Sequence, residues 1–511
     1  MKLRPRRWAT VPVLLAVALA LPINSCRRAA DERLLVVGFD GRLLSLDPHH
    51  KNDAMTWSVL SNLYDGLVRF SPEMKLEPAL AEAWEQLDAT HWRFHLRDGV
   101  YFRRGEALRA ADVVASFERV RADPQAELRH HLLGVTRITA ADRLTVMVET
   151  DGPRPTLPNR LAFLPVVTAG DAKLAEITDP NGTGPYRVVR RDGEDAMILE
   201  GWAGWRGMPP IQHVKFVFSG DNHALFQRFL KGEIDVVEQI PRDSLGDVRD
   251  LRHARAEPHP RLGIEMIAVS SAGGDGEAAR ALSDVRVRRA ILLGCDRQRW
   301  IDEIYRGNAL VASQYVHPVV FGYDAALAPE PYDPRAAREL LAQAGYPNGV
   351  DLTIDYSAGN KDVVTQLIAD LERVGIRLKP RVFEWGDLIT WMKEGKSSLG
   401  VFGWQCSTGD ASDFLNPCVH SPSPSLDLGG DNSARFRDPE IDALIERADR
   451  ETDVGRRRVL LHEAQRRTLQ KLPYIPLIDL LVFLGASDRV DVVVRHDHWL
   501  WVGAYRWRTP E

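Results

Sequence analysis

Cysteine is scarce in this 511-residue chain, which has it only at Cys26, Cys295, Cys406 and Cys418. So few cysteines, so far apart, exclude a disulfide-built scaffold and a cysteine-rich zinc site. Past residue 25 no apolar run approaches the roughly 20 residues that a bilayer-spanning helix needs. No basic block interrupts a chain of net charge −5, so nucleic acid is a poor candidate partner. There is no Gly-x-Ser-x-Gly elbow, no His-Glu-x-x-His and no phosphate loop ending in Lys-Ser/Thr. The sequence thus predicts no enzyme, with no catalytic residue, no cofactor and no resident metal. Internal repeats and low-complexity tracts are also missing. What remains is 44% hydrophobic and 27% charged residues, an ordinary soluble globular balance. The length calls for two or three lobes rather than one core.

The start of the chain is an address. Met1 to Arg7 carries four positive charges and no acid, and Val11 to Ile23 is almost wholly apolar. A basic head before a short apolar core reads as a secretory signal over 1–25. Ile23-Asn24-Ser25 directly before Cys26 resembles a bacterial lipobox. In that reading the signal is cut before Cys26, the cysteine is lipidated, and 26–33 is a tether to the membrane surface. Each buried acyl methylene is worth about 0.8 kcal/mol. Loss of the four basic residues takes the net charge from −5 to about −9. An ordinary cleaved signal is the alternative. Arg6-Arg7 also suggests twin-arginine export, although its flanks fit poorly.

The body alternates helix and strand. "LLVVGFD" from Leu34 reads as a buried strand, and Trp57, Leu60, Leu63 and Tyr64 fall at helical spacing. Strands are expected near 83–85, 92–96 and 144–149, with turns at Asp88-Ala89 and Asp98-Gly99 and a helix over 110–120. Gly182 to Pro185 is glycine-rich but lacks the residues of a phosphate loop, and reads as a turn near a hinge. "HALFQRFLKGEIDVVEQIP" is a helix, a stop at Lys231-Gly232 and a strand. Two helical stretches flank a break at Asp296. Asp333-Pro334 starts a helix that Gly345 ends. From 334 to 383 helix and strand alternate, which implies α/β lobes with a mostly parallel sheet. Cys295 sits in an amphipathic helical pattern as a small buried hydrophobe. Cys406 and Cys418 are twelve apart in a loop-like stretch, and a bridge between them would be worth about 3 kcal/mol in an oxidising compartment. The pairs His49-His50 and His130-His131 read as solvated or capping histidines, since neighbouring side chains diverge.

Residues 80–120 carry Glu82-Ala83-Trp84, "WRFHLRDGV" and Ala110-Ala111-Asp112-Val113. With them the chain resembles family 5 of the bacterial extracellular solute-binding proteins, the dipeptide, oligopeptide and nickel binding components of ABC importers. Further similar pieces follow in order, among them "GTGPYRV" at 182, "FEWGDLITWM" at 383, "GWQCSTGDASDFLN" at 403 and "LPYIPLIDLLVFLGASDRVDVV" at 472. The resemblance implies an α/β type II periplasmic binding protein: two α/β lobes joined by a hinge, with an extra domain inserted in the first. By analogy, lobe one comes from 34–65, 180–264 and 486–511, the inserted domain is 66–179, and lobe two is 265–485.

Such a protein closes its lobes on a ligand that touches both. The resemblance implies a lipid-anchored monomer of the periplasm or cell envelope. It would deliver an oligopeptide or similar small polar solute to an ABC permease and its ATPase. An oligosaccharide, a metal chelate, or a sensor or chaperone role without transport are the alternatives. Trp404 and Trp385 fall where relatives line the cleft. Peptide binders of this family pair the ligand's ammonium with an aspartate after a Gly-Trp, and without gaps that place here is Ser407. Asp410 or Asp413 would substitute only in a reshaped loop. Tyr64 and Asp65 are expected at the cleft edge.

Overall fold

The computed structural model describes residues 33–509 apart from 52, 242–243, 250–252, 271–275 and 427. The signal segment and Cys26 lie outside the described residues. Among the described residues no helix is long and apolar enough to cross a membrane.

One large sheet organises the molecule. Its order is Ile376–Phe383, Val350–Ser357, Leu399–Gln405, Ala254–Val269, Tyr474–Ser487, Val236–Val237, Leu34–Asp40, His213–Ser219, Ala196–Gly201, Tyr186–Asp192, with Ala309–Val311 also on Tyr474–Ser487. The expectation of a mostly parallel sheet is corrected. Leu34–Asp40 runs parallel to His213–Ser219 and Val236–Val237, and Val350–Ser357 runs parallel to Ile376–Phe383 and Leu399–Gln405. The remaining pairings of this sheet are antiparallel. The reason is that two long strands running in opposite directions join the two halves, and a hairpin closes one edge.

Those strands are Ala254–Val269 and Tyr474–Ser487. Residues 254–260 pair with 481–487 in one half of the sheet, and 264–268 pair with 474–479 in the other. The register slips between Pro260 and Ile264, where Leu262 takes a left-handed φ of 53°. A break of this kind bends a strand and raises its local twist. The two α/β lobes therefore share their joining strands, which change register midway.

Local chemistry accounts for the elements around the sheet. Leu35, Val37 and Phe39 alternate into one core with Phe216. Ile354, Leu367, Trp300 and Ile478 fill the core of the opposite half. Asp333 caps the Pro334–Gln343 helix by accepting from the Arg335 and Ala336 amides, and Gly345 beyond its end takes φ 94°. Asp296 breaks the chain between Val285–Gly294 and Arg297–Glu303 because its carboxylate caps the second helix. A separate antiparallel sheet, in the order 81–86, 91–96, 145–150, 135–140, packs with the Ala110–Ala122 helix. Its core, with Phe94, Phe117 and Val148, is continuous with Phe402, Phe414 and Tyr474. The turn at 182–185 packs backbone to backbone: a Cβ on Gly182 would stand 2.0 Å from the Leu63 carbonyl oxygen.

One histidine of each pair departs from the solvated or capping reading, while His130 stays exposed with its Nδ1 2.7 Å from the Glu127 carbonyl. His49 is buried, with Nε2 2.8 Å from the Pro165 carbonyl and Nδ1 2.9 Å from Arg119. His131 is buried and stacks on Phe163 at 4.8 Å. The expected divergence also fails at the second pair, whose His130 and His131 rings lie tilted against each other with centroids 3.8 Å apart; among the described residues no group of histidine, cysteine and acidic side chains could hold a metal ion.

Candidate functional site

The strand Leu399–Gln405 delivers Trp404 opposite Ile264, beside the register break, and leads into the loop 406–411. That loop is built around Asp413. Its carboxylate accepts from the Trp404 indole N–H at 3.0 Å, the Ser407 amide at 3.1 Å, the Ser407 hydroxyl at 3.2 Å and the Thr408 amide at 2.9 Å. Burial pushes the Asp413 carboxyl above its usual value, against the pull of those bonds. Trp404 packs edge-on against Phe414 with centroids 6.0 Å apart.

Asp410 does something else. It is buried and faces Arg457 on the Val454–Lys471 helix, with two oxygen–nitrogen distances of 2.5 and 2.8 Å. Ser412 adds its amide at 3.0 Å and its hydroxyl at 2.7 Å. Both carboxylates that could replace the missing aspartate at 407 have partners inside the protein, Asp413 within the loop and Asp410 at Arg457. The bridge that the spacing left open is not formed in this structure. Cys406 and Cys418 are free, buried thiols, and the Cys406 Sγ lies 3.4 Å from the Asp410 carbonyl. Cys406 directly follows the strand Leu399–Gln405, while Cys418 lies in the helical turn Leu415–Val419. Burial raises both thiols well above their usual range.

Trp385 opens the Trp385–Lys393 helix and is 49% exposed. Tyr64 is buried, its hydroxyl 3.5 Å from the Leu46 carbonyl. Asp65 is buried under Arg206, with Thr183 and Trp205 also donating to it. Burial pushes its carboxyl up, but the Arg206 charge and these bonds outweigh that and hold it low. The loop thus gathers Trp404, Ser407, Asp410 and Asp413, while Trp385, Tyr64 and Asp65 stand on other elements.

Sequence reasoning missed the opposite wall. Asp40 and Glu238 stand at the carboxyl ends of adjacent parallel strands, the usual place for a ligand site in open α/β sheets. The Asp40 amide lies 3.4 Å from the Glu238 carboxylate. Burial, with the Asp40 charge adding to it, pushes Glu238 up to about 7, against the pull of the Asp40 amide and of Arg261. Arg261 sits at the register break and also acts on His498, which burial first and then that charge bring down to about 3. The His498 Nδ1 is 3.5 Å from the Gln405 amide nitrogen. Polar groups thus stand on both halves of the sheet, Asp40 with Glu238 on one and Gln405 with His498 on the other, and the Arg261 charge at the register break acts on Glu238 and on His498. The signal was an acid directly behind a buried strand, in "LLVVGFD" and "IDVVEQ".

Such groups can grip a polar guest from both sides.

Heme-binding protein A of Haemophilus influenzae is 29% identical over 468 residues, covering 84% of this chain and 83% of that protein. Di/tripeptide-binding protein 2 of Pseudomonas aeruginosa is 28% identical, covering 94% and 95%. Among solved structures, HbpA2 from Haemophilus parasuis superposes with a TM-score of 0.83 at 24% identity, over 93% of this chain and all of that one. The periplasmic binding protein DppA from Helicobacter pylori, in complex with the peptide STSA, gives 0.77 at 23% identity, over 95% and 100%. These neighbours fix the fold as that of a type II periplasmic binding protein. The family model for the bacterial extracellular solute-binding proteins, family 5, matches residues 75–425, and the chain belongs to that family.

Proposed function

We propose that this protein is the lipid-anchored substrate-binding component of an ABC importer, capturing an oligopeptide or similar small polar solute between its lobes and passing it unchanged to a membrane permease. Family 5 proteins are transport binding proteins rather than enzymes, found in the periplasm or outside the cell. The observation that carries the reading is the presence of polar groups on both sides of the register break. A guest touching Glu238 on one side and Trp404 on the other favours the closed shape by contacts that the open shape lacks. The permease then distinguishes loaded from empty by shape.

On this reading lobe one is 34–65 with 180–264 and 486–511, the inserted domain is 66–179, and lobe two is 265–485. Cys26 carries the lipid, and the protein works as a monomer. Because Ser407 is neutral and Asp410 and Asp413 are committed, an ammonium on the guest would find its carboxylates across the cleft, at Asp40 and Glu238. An extended peptide backbone suits such a cleft, with side chains in wet pockets where water adapts to each. Mass spectrometry of what co-purifies from native expression tests the ligand class. A mixed set of short peptides supports it, and a single sugar or metal complex overturns it.

A further inference from the structure

A basic pocket lies at the end of the sheet's second half that is remote from the register break. It is walled by the loop 422–438, by the ends of the helices Glu277–Ser283, Trp385–Lys393 and Val454–Lys471, and by Arg288 on Val285–Gly294. It encloses about 1650 Å³ of non-protein space, part of it open to solvent. Leu399 and Tyr474, which begin the strands after Lys393 and Lys471, pair with Val269 and Ala268, whereas Trp404 pairs with Ile264 at the break. None of Trp404, Ser407, Trp385, Tyr64, Asp40 or Glu238 lines the pocket, so it shares no wall with the cleft.

Five cations, Arg288, Lys393, Arg435, Arg437 and Lys471, face one carboxylate, Asp438. That excess stands on a chain of net charge −5. The lysines have acidic partners, Lys393 at 2.5 Å from Asp431 and Lys471 at 3.8 Å from Asp438. Asp438 also accepts from the Glu440 and Ile441 amides. The three arginines form no ion pair with a carboxylate among the described residues. Arg435 donates to the Glu394 carbonyl at 3.0 Å, and Arg437 is exposed with neither hydrogen bond nor ion pair. Arg288 is only 6% exposed. Its Nε donates to the Lys471 carbonyl at 2.8 Å, and its Nη1 to the Leu282 and Ser283 carbonyls at 2.6 and 3.1 Å. Its Nη2 makes no hydrogen bond, yet it is not shut away from solvent, and the space beside Arg288 is this pocket. The other buried arginines are spent: Arg457 and Arg495 hold carboxylates, and Arg297 gives both terminal nitrogens to carbonyls. Burial acts against the charged form of Arg288, with the Asp284 charge opposing it. A buried cation with a spare donor gains most from an anion, and guanidinium forks match phosphoryl oxygens. Pro422 and Phe436 are the only large apolar side chains in the lining, so the guest is polar throughout.

We propose that this pocket is an anion site separate from the interlobe cleft, taking a compact polar guest with a diphosphate group, its oxygens against Arg288, Arg435 and Arg437. The probe is inorganic pyrophosphate, titrated calorimetrically into the purified protein at constant ionic strength, with orthophosphate as the comparison. Saturable binding of pyrophosphate is expected, with orthophosphate at least about tenfold weaker, the scale of one charged hydrogen bond. Arg437→Gln, at an exposed residue without partners, should weaken pyrophosphate about tenfold. Arg137→Gln, equally exposed on the strand 135–140 of the other sheet, should leave it unchanged. Arg288 is left in place because it closes the ends of two helices. A diphosphate comes free in solution or on a lipid head, and CDP-diacylglycerol in neutral micelles, compared with free CDP, separates the two. Tighter binding of the micellar form assigns a lipid head, and equal or tighter binding of free CDP assigns a soluble diphosphate. No saturable binding, equal affinity for the two phosphates, or indifference to Arg437→Gln overturns the proposal. So does an equal loss on Arg137→Gln, which would reduce the effect to diffuse charge. The pyrophosphate–orthophosphate comparison uses the unaltered protein, so it stands even where a variant fails to fold.

Discussion

Arg457 and Asp410, 47 positions apart, form a buried guanidinium–carboxylate pair that ties the loop after Trp404 to the Val454–Lys471 helix. Removing one partner of such a pair leaves an uncompensated buried charge, which costs about 3–5 kcal/mol. Asp410→Ala and Arg457→Ala should each lower the free energy of unfolding, measured by chemical denaturation, by that amount, and the double variant should recover part of it. Equal, additive losses would show that the pair does not act as a unit.

Asp413 is the hub of the same loop, accepting from Trp404, Ser407 and Thr408. Asp413→Asn keeps the shape but turns part of the acceptor set into donors. A loss of about 1–3 kcal/mol is expected, with ligand affinity falling alongside. Calorimetry with the co-purified ligand and thermal unfolding measure both; unchanged affinity in a loosened loop would remove Trp404 and Ser407 from the site.

Cys406 and Cys418 are unbridged and buried, with thiols raised by burial. A thiol reagent should leave both untouched in the native protein and label both after unfolding without reductant, as read by peptide mass spectrometry. A cross-linked peptide pair would contradict the structure.

Asp479 on the joining strand Tyr474–Ser487 gives a pH signature. Burial pushes its carboxyl up to about 7. The His317 Nε2 lies 3.8 Å away, beyond hydrogen-bonding distance, and burial first and then the His496 charge bring that imidazole down to about 4. A carboxyl raised from 3.8 to about 7 stabilises the fold when protonated. Its contribution is full below about pH 4 and lost as pH rises to about 7. The lowered histidine acts oppositely, its contribution lost as pH falls from 6.5 toward about 4. Asp479→Asn should therefore gain stability over the parent at pH 8 relative to pH 5, by about 3 kcal/mol, since roughly two pH units separate pH 5 from the raised pKa. The two melting temperatures, compared at both values, decide it. An offset that does not change with pH would place Asp479 in a wetter setting.

The secondary structure was legible where its cause is local. Asp333-Pro334 and Gly345 start and stop their helix within a dozen residues, and the alternation in "WRFHL" shows in the burial of Trp92, Phe94 and Leu96. The family was legible because its short pieces recur in order. The site was less so, because its connections are long-range. Nothing near Asp410 announces Arg457, and nothing near Cys406 says that Cys418 stays unpaired. Glu238 meets Asp40 only once two distant strands lie side by side. The antiparallel share of the sheet was hidden for the same reason, since the joining strands pair over more than 200 residues of separation.

The central claim is that a guest draws two hinged lobes together and leaves unaltered. Small-angle scattering of ligand-stripped protein, titrated with the mixture released from native preparations, tests it most directly. The radius of gyration should fall and saturate, and the recovered ligands should keep their masses. A radius that never changes, or a ligand returned chemically altered, would contradict the account.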